Sequence, residues 1–381
     1  MKITILGPAH PFRGGIAALN EQLARQFISE GHEVNIVSFT VQYPQILFPG
    51  KTQFNDFEVD FDFPVSREIN SVNPVNWIKT GRKIRALSPD LVIVRFWIPF
   101  MGMALGTICR EIMKNGRTKI IALTDNLIPH EKRIGDQILI KYFTGSVHGF
   151  IAMSKQVLSD ISKYEFKKPK KYTPHPVYDH YGEIEEREIA LGKLSLDPQN
   201  RYILFFGIIR DYKGLDLLLH AFSDSYFADN NIKLIVAGEF YTDEDRYMKI
   251  ISEMNLKNQV ILRTEYIPNS EVPDYFNAAD IIVQPYKTAT QSGVTQIGYH
   301  FNTPMLVTNV GGLAEIIPHM KAGYVVEPNP EAISGALKDY FSNRRMSEFK
   351  ANITKEKERF SWDKMTSAFY QLMNELKNGE H

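Results

Sequence analysis

The sequence predicts an α/β protein of two doubly wound domains, each built on a parallel sheet, facing each other across a cleft. Two observations carry this prediction. The chain has 381 residues, about twice the length of an ordinary domain. Short apolar runs alternate from end to end with longer stretches of helical periodicity, and this alternation is typical of βα units around a parallel sheet.

The first half contains five runs that predict buried strands, each too short for a buried helix. In the segment after the first run, Ile16, Leu19 and Leu23 fall on one helical face, and Gly31 follows as a stop signal. The first domain is predicted over 1–180. Its strand runs are 2–6, 34–39, 91–95, 119–124 and 148–153.

The second half restarts the same alternation and predicts a second domain over 190–358. Residues 174–188 between the two domains are polar and begin with closely spaced prolines, as is typical of a linker. Residues 362–377 predict an amphipathic helix that is free to pack back on the first domain. The strand runs of the second domain are 202–206, 232–238, 259–264, 280–285, 304–309 and 324–326.

The composition excludes several classes of protein. Lys and Arg number 44, and so do Asp and Glu, so the chain lacks the basic excess that holds proteins to nucleic acid. The single cysteine, Cys109, excludes an intrachain disulfide and a thiolate metal cluster. The N-terminal run is broken by proline and glycine, and no stretch has the roughly 18 apolar residues of a membrane span. A cytoplasmic protein is expected.

Charge is divided unevenly along the chain. Residues 1–180 contain 23 Lys and Arg against 16 Asp and Glu. A positive half favours an anionic ligand or a peripheral contact with the inner face of a membrane. Part of this excess lies in the run 167–171, for which a solvated basic loop is the simpler interpretation.

The loop after the first strand of the second domain contains the most specific candidate site. Arg210 and Lys213 are two cations at the start of a helix that Gly214 opens. Ligands of open parallel sheets bind beyond the carboxyl ends of the strands, and paired cations there suit a diphosphate. The alternative is a pair of solvated surface cations.

Three further turns are candidates for binding an anion. Gly14 and Gly15 precede the first helix, where backbone amides and the helix end favour a phosphate oxygen. Ser292 is predicted to cap a helix that begins at Gly293, and Glu315 follows a glycine pair after the next strand. The signal at Gly14 and Gly15 is weak alone, because a glycine pair before a helix is equally typical of a tight turn.

In their order along the chain, these motifs resemble the retaining nucleotide-sugar glycosyltransferases of GT-B architecture, often called family 4 or group 1. The resemblance covers essentially the whole chain. It implies two Rossmann-like domains facing a cleft. The segments that carry it are 14–16, 31–34, Ser154, 212–221, 278–280, 292–294 and 310–315.

The resemblance implies that Arg210 and Lys213 bind the diphosphate of the donor and that Gly15 closes over it. The amides of Ser292, Gly293 and Val294 would hold the same group. The other implied donor-binding residues are Gly14, Tyr266, Ile267 and Glu315, of which Tyr266 and Ile267 lie in the segment that borders the nucleobase.

The chain departs from the family pattern at two positions. A conventional member has two glutamates eight positions apart, one facing the donor sugar and one the ribose, and this chain has Ala289 and Ile297 there. Phosphate capture by amides and cations needs neither carboxylate.

A polar cluster follows the fourth strand run of the first domain, where many members have a histidine. Asp125 lies directly after the strand and His130 lies on the loop beyond it. Either group could hold sugar hydroxyls or the acceptor oxygen as a catalytic residue. For His130, a hydrogen bond to loop backbone is an equal alternative.

The resemblance implies transfer of a sugar from a nucleoside diphosphate sugar to a saccharide or lipid-linked hydroxyl acceptor, with retention, in polysaccharide or glycolipid assembly. It implies no metal and no cofactor besides the donor substrate. Two alternatives stay open. One is a nucleotide-sugar epimerase on the same fold, and the other is a non-catalytic nucleotide-sugar-binding protein.

Overall fold

The computed structural model describes residues 1–44, 53–54, 61–129, 134–178, 181–289 and 292–379. The chain divides into two units. Unit 1 comprises Met1–His175 and Trp362–His381, and unit 2 comprises Pro176–Ser361. The C-terminal segment therefore belongs to the first unit.

Unit 1 contains a seven-stranded sheet in which neighbouring strands pair in parallel. The strands are β1 (Lys2–Leu6), β2 (Glu33–Val41), β3 (Val65–Asn70), β4 (Leu91–Phe96), β5 (Lys119–Thr124), β6 (Gly149–Ala152) and β7 (Lys170–Tyr172). Their order across the sheet is β3-β2-β1-β4-β5-β6-β7. The central strands β4, β5 and β6 are buried along their whole length, as expected of a parallel sheet covered on both faces.

Unit 2 contains a six-stranded sheet that is also parallel. Its strands are β8 (Arg201–Phe206), β9 (Ile232–Ala237), β10 (Val260–Arg263), β11 (Ile281–Gln284), β12 (Met305–Thr308) and β13 (Gly323–Val326). Their order is β10-β9-β8-β11-β12-β13. The chain reverses its direction of winding between β8 and β11, which is where ligands of such sheets bind.

Helices connect the strands in both units. They are α1 (Gly15–Ser29), α2 (Pro74–Leu87), α3 (Gly102–Met113), α4 (Asp136–Thr144), α5 (Lys155–Tyr164), α6 (Arg187–Lys193), α7 (Leu215–Phe222), α8 (Ser225–Asp229), α9 (Glu244–Glu253), α10 (Val272–Ala278), α11 (Gly293–His300), α12 (Leu313–Ile316), α13 (Pro330–Ser342), α14 (Met346–Glu356) and α15 (Trp362–Asn378). None of the helices in the described ranges is long and apolar enough to cross a membrane.

The predicted class, two α/β domains each built on a parallel sheet, is confirmed. Strands β3 and β7 are absent from the sequence-based prediction. Both are edge strands of the first sheet, and their sequences, VSREIN and KKY, contain charged residues. An edge strand is less covered than a central one, so its sequence lacks the apolar run that signals a buried strand.

Helix α15 packs on unit 1 through its apolar face. Met365, Phe369 and Leu372 are buried, and the Phe369 ring lies 5.7 Å from the ring of Phe27 on α1, centre to centre. The hydroxyl of Thr366 donates to a carboxylate oxygen of Glu30 at 2.7 Å. Helix α15 therefore packs against α1 and belongs to unit 1.

Candidate functional site

Glycines allow the loop between β8 and α7 to pack closely against a neighbouring loop. After β8, Gly207 adopts φ +95°, and Gly214, which precedes α7, adopts φ +69°. A Cβ atom on Gly214 would lie 2.0 Å from the carbonyl oxygen of Pro285, which follows β11. The loops after β8 and β11 therefore touch at the carboxyl edge of the sheet, and only glycine fits at this contact.

Lys213 ends a short 3-10 helix, Asp211–Lys213, within this loop and is buried. Its ammonium lies next to Gly207, 3.1 Å from the place of a Cβ on that residue, and 5.5 Å from the centre of the Tyr286 ring. Burial lowers the pKa of Lys213, and the positive charge of Arg210 lowers it further while Tyr212 opposes the shift. A negatively charged ligand bound here would stabilise the protonated form of Lys213.

Arg210 is exposed, and its guanidinium carbon lies 5.5 Å from the centre of the Tyr241 ring. In the part of the chain that the structure describes, neither Arg210 nor Lys213 forms an ion pair with a carboxylate. The two carboxylates of the same segment, Asp211 and Asp216, pair instead with cations from other elements. The loop therefore presents two cations without a matching anion.

The amino end of α11 lies beside Lys213. Ser292 caps this helix, and its hydroxyl accepts from the Val294 amide at 3.3 Å and lies 3.3 Å from the hydroxyl of Tyr286. The position of a Cβ on Gly207 would be 3.1 Å from the Lys213 ammonium and 3.7 Å from a methyl of Val294, so both groups lie close to this glycine. The partial positive charge of the helix end adds to that of the ammonium.

Gly293 is required at the first turn of α11. A Cβ there would lie 2.9 Å from a ring carbon of Tyr178, so a larger residue would displace the ring or the turn. The positions where the family pattern has glutamates, Ala289 and Ile297, are buried and apolar. The candidate site thus contains cations and amides around Gly207, without a carboxylate at either of these two positions.

Three other predicted donor-binding residues lie in other segments of unit 2. Tyr266 is exposed and Ile267 half-buried in the loop after β10, and Glu315 lies half-buried in α12, after β12. Both segments follow strands of the same sheet. The assignment of the three residues to donor binding stays a prediction.

In unit 1, Gly14 and Gly15 lie exposed at the amino end of α1. Gly14 adopts φ +110° as the residue that precedes the helix, a conformation that favours glycine. A Cβ on Gly14 would meet no atom within 4 Å, so the backbone conformation, and not crowding, accounts for this glycine. Anion binding by the pair stays a prediction.

Asp125 follows β5 and is buried against Arg95 of β4. The guanidinium donates to both carboxylate oxygens, from Nε at 2.6 Å and from Nη2 at 2.5 Å. This bidentate pair ties the ends of two adjacent strands together, so Asp125 has a structural role whether or not it also contacts substrate. His130, the other catalytic candidate of this domain, lies outside the described residues.

Sequence reasoning overlooked four residues of these two sites: Arg95, Arg246, Tyr286 and Lys287. A signal existed for Arg95, because a charged residue inside the apolar run of β4 requires a buried partner. For Arg246 and Lys287 no local signal exists, since their partners lie 30 to 71 positions away along the chain.

Two family models match the chain, one in each half. The model described as Glycosyltransferase Family 4 matches residues 13–177, and the model described as Glycosyl transferases group 1 matches residues 186–360. An uncharacterized glycosyltransferase of Methanocaldococcus jannaschii is 24% identical over 99% of both chains. A D-inositol 3-phosphate glycosyltransferase of Catenulispora acidiphila is 25% identical over 57% of this chain and 49% of its own length, so that match spans about half of the relative.

Solved structures resemble the chain over its full length. Sucrose-phosphate synthase from Thermosynechococcus elongatus has a TM-score of 0.77 at 15% identity and covers 100% of both chains. Anabaena HepE in complex with UDP has a TM-score of 0.73 at 14% identity and covers 99% of this chain and 100% of its own. At these identities the likeness shows the fold.

Proposed function

The chain belongs to the group 1 glycosyltransferases of GT-B fold, and from this premise we propose that it transfers a sugar from a nucleoside diphosphate donor to a hydroxyl group with retention. One observation carries the choice of donor. Arg210 and Lys213 present positive charge that no carboxylate of the described chain neutralises, at the carboxyl edge of a parallel sheet.

The diphosphate is the group that this site suits best. Two cations and the amino end of α11 match a ligand with at least two negative charges on neighbouring oxygens. Burial of Lys213 excludes much of the water that would otherwise screen the interaction. A neutral ligand would not offset the unfavourable burial of the Lys213 ammonium, which lowers its pKa.

In the proposed reaction, the bond between the anomeric carbon and the β-phosphate oxygen breaks while the acceptor oxygen bonds to the same face of that carbon. The leaving oxygen takes the proton of the acceptor hydroxyl, so no protein base is required. Arg210, Lys213 and the amides at the start of α11 stabilise the charge that develops on the departing diphosphate. Each such interaction contributes on the order of 3 kcal/mol to lowering the barrier.

The comparisons support this donor class and suggest a first probe. Anabaena HepE has been solved with UDP and with UDP-glucose, so UDP is the natural starting ligand. We propose a saccharide or lipid-linked acceptor, as in polysaccharide or glycolipid assembly. The basic excess of residues 1–180 is the feature that supports a peripheral membrane contact.

A thermal-shift panel of nucleoside diphosphates and their sugars tests the proposal. At 100 times its Kd, a ligand that binds only the folded state stabilises it by about 2.7 kcal/mol. We expect one base to raise the melting temperature, and Lys213→Ala to abolish that rise while leaving the melting temperature without ligand nearly unchanged. If no nucleoside diphosphate or sugar shifts the wild-type chain, the proposed donor class is wrong.

Product analysis separates the proposal from its alternatives. With the donor identified, NMR of the product's anomeric proton reports retention or inversion. Formation of an epimer from donor alone would favour an epimerase. Donor binding without transfer to any acceptor and without slow hydrolysis would favour a non-catalytic binding protein, for which the apolar Ala289 and Ile297 are the motivating feature.

A further inference from the structure

The two carboxylates next to the candidate diphosphate site are held by cations from elsewhere in unit 2. Arg246 of α9 bridges them, with Nη1 at 3.3 Å from Asp211 and Nη2 at 3.0 Å from Asp216. Lys287, which follows β11, donates to the same oxygen of Asp216 at 2.6 Å. Two anions are thus matched by two cations that do not belong to the β8–α7 loop.

Asp211 is held by more than its ion pair. The hydroxyls of Thr242 and Tyr247 donate to the carboxylate oxygen that also contacts Arg246, at 3.0 and 3.2 Å. Lys287 is tied to the loop a second time, because its backbone amide donates to the carbonyl of Tyr212 at 2.7 Å. These contacts fix the direction in which both carboxylates point.

The position of the carboxylates makes this pairing consequential. Asp211 is the chain neighbour of Arg210, and Asp216 follows Lys213 by three residues. At physiological ionic strength the screening length is about 8 Å, so an unneutralised carboxylate in this loop would reduce the positive potential at Arg210 and Lys213. Without Arg246 and Lys287, residues 210–216 would carry two positive and two negative charges, with no net attraction for a diphosphate.

We propose that Arg246 and Lys287 are positioning residues that neutralise Asp211 and Asp216, so that the positive charge of Arg210 and Lys213 is available to the donor diphosphate. This inference rests on the proposed function, because it assumes that Arg210 and Lys213 receive a diphosphate. It assigns to Arg246 an effect on affinity that is electrostatic and acts through Asp211 and Asp216.

The test measures the Kd of UDP, or of the diphosphate that the thermal-shift panel selects, by calorimetry at low and high salt. Arg246→Gln is expected to raise Kd about fivefold at low salt, because two carboxylates lose a neutralising charge. At 1 M salt the screening length falls to about 3 Å, and the difference from wild type should largely disappear. Arg246→Lys keeps the charge and is expected to keep most of the affinity.

The decisive variant removes the freed carboxylate. In Arg246→Gln combined with Asp211→Asn, the affinity should return to within about twofold of wild type, since the uncompensated negative charge is gone. If Arg246 acts only by organising the loop, the double variant will bind as weakly as Arg246→Gln or more weakly, and the inference is then wrong.

Lys249→Gln is the matched control, because it removes one positive charge from the same helix, where Lys249 pairs with Glu253 at 3.7 Å. An effect of Arg246→Gln no larger than that of the control would also overturn the inference. Failure of wild type to bind any diphosphate would overturn the proposed function and this inference together. If wild type binds a diphosphate and Arg246→Gln binds it with the same Kd, the inference alone is overturned.

Discussion

Among the described residues, Arg95 of unit 1 and Lys213 of unit 2 are cations buried near the carboxyl edges of their sheets, and they differ in their partners. In unit 1, Arg95 is 1% exposed and forms a bidentate pair with Asp125. In unit 2, Lys213 is 9% exposed, and within the described ranges no carboxylate pairs with it. Burial of a charge is costly unless a partner compensates it. The first unit supplies the partner of its own buried cation. In the second unit, under the proposed function, the donor diphosphate would supply it.

From this difference we propose that Arg95 is a structural charge and Lys213 a functional one. The Arg95–Asp125 pair joins the ends of β4 and β5, where the Asp125 amide also donates to the carbonyl of Phe96 at 2.9 Å, so its removal should affect folding before it affects binding. Burial of the Lys213 ammonium destabilises the folded state, and the same burial lowers the pKa of this residue. A protein retains such a cost where function requires it.

The largest expected effect comes from breaking the pair in unit 1. Asp125→Asn leaves the Arg95 guanidinium buried without its anion, and we expect a loss of about 3–5 kcal/mol in unfolding free energy. Urea denaturation followed by circular dichroism measures it. Replacement of both residues, Arg95→Met with Asp125→Leu, is the control and should recover most of the loss, because an apolar pair of similar volume has no unpaired charge. A loss below about 1 kcal/mol in Asp125→Asn would show that the pair is not structural.

Lys213→Met is expected to reduce activity strongly and to change stability little. Turnover should fall about 100- to 1000-fold, as for the loss of one group that stabilises developing charge. The unfolding free energy should stay within about 1 kcal/mol of wild type or rise, because a buried charge is replaced by an apolar chain of similar length. Donor turnover and urea denaturation measure the two effects.

Lys233→Met is the control for Lys213→Met, since Lys233 lies in the same unit and donates to a backbone carbonyl, that of Asn258, at 2.8 Å. It should leave turnover unchanged. If Lys213→Met were as unstable as Asp125→Asn, or nearly as active as wild type, the distinction between the two buried cations would not hold.

The central part of the fold could be predicted from the sequence because its physical cause is local. Strands such as β4 and β8 are apolar along most of their length, so their own residues show where they lie. The edge strands β3 and β7 contain polar residues, since an edge is incompletely covered. Their pairing depends on neighbours that are distant in the sequence, and no local pattern records it.

The same distinction applies to the candidate site. The location of Arg210 and Lys213 after a strand and before a helix could be predicted from the order strand, glycine, cation, glycine. The contact of Lys213 with Tyr286 and the pairing of Asp211 with Arg246 could not, because their partners lie on other elements that are distant along the chain. For Asp125, the position at a strand end predicts substrate contact, and this stays a prediction. Its pairing with Arg95 could not be predicted, because it depends on the register of β4 and β5.

The smallest expected effect is a difference in how stability depends on pH. Burial, reinforced by the charge of Arg210, lowers the pKa of Lys213 from its ordinary value of 10.5 in the folded chain. Between that lowered pKa and 10.5, the unfolded chain binds more protons at this residue than the folded chain does. Stability therefore gains with rising pH through this window. The cost of Lys213 is fully present below the lowered pKa and is lost above 10.5.

Lys213→Met isolates this contribution, because every other titrating group is common to both proteins. We expect the stability advantage of the variant over wild type to be largest near neutral pH and to shrink as the pH rises through the window. Melting temperatures of both proteins between pH 7 and pH 10 test this. A saturating diphosphate should reduce the advantage at neutral pH, since the ligand supplies an anion to the Lys213 ammonium, which the variant lacks. Parallel curves with and without ligand would mean that the Lys213 ammonium is as well compensated in the free chain as Arg95 is by Asp125.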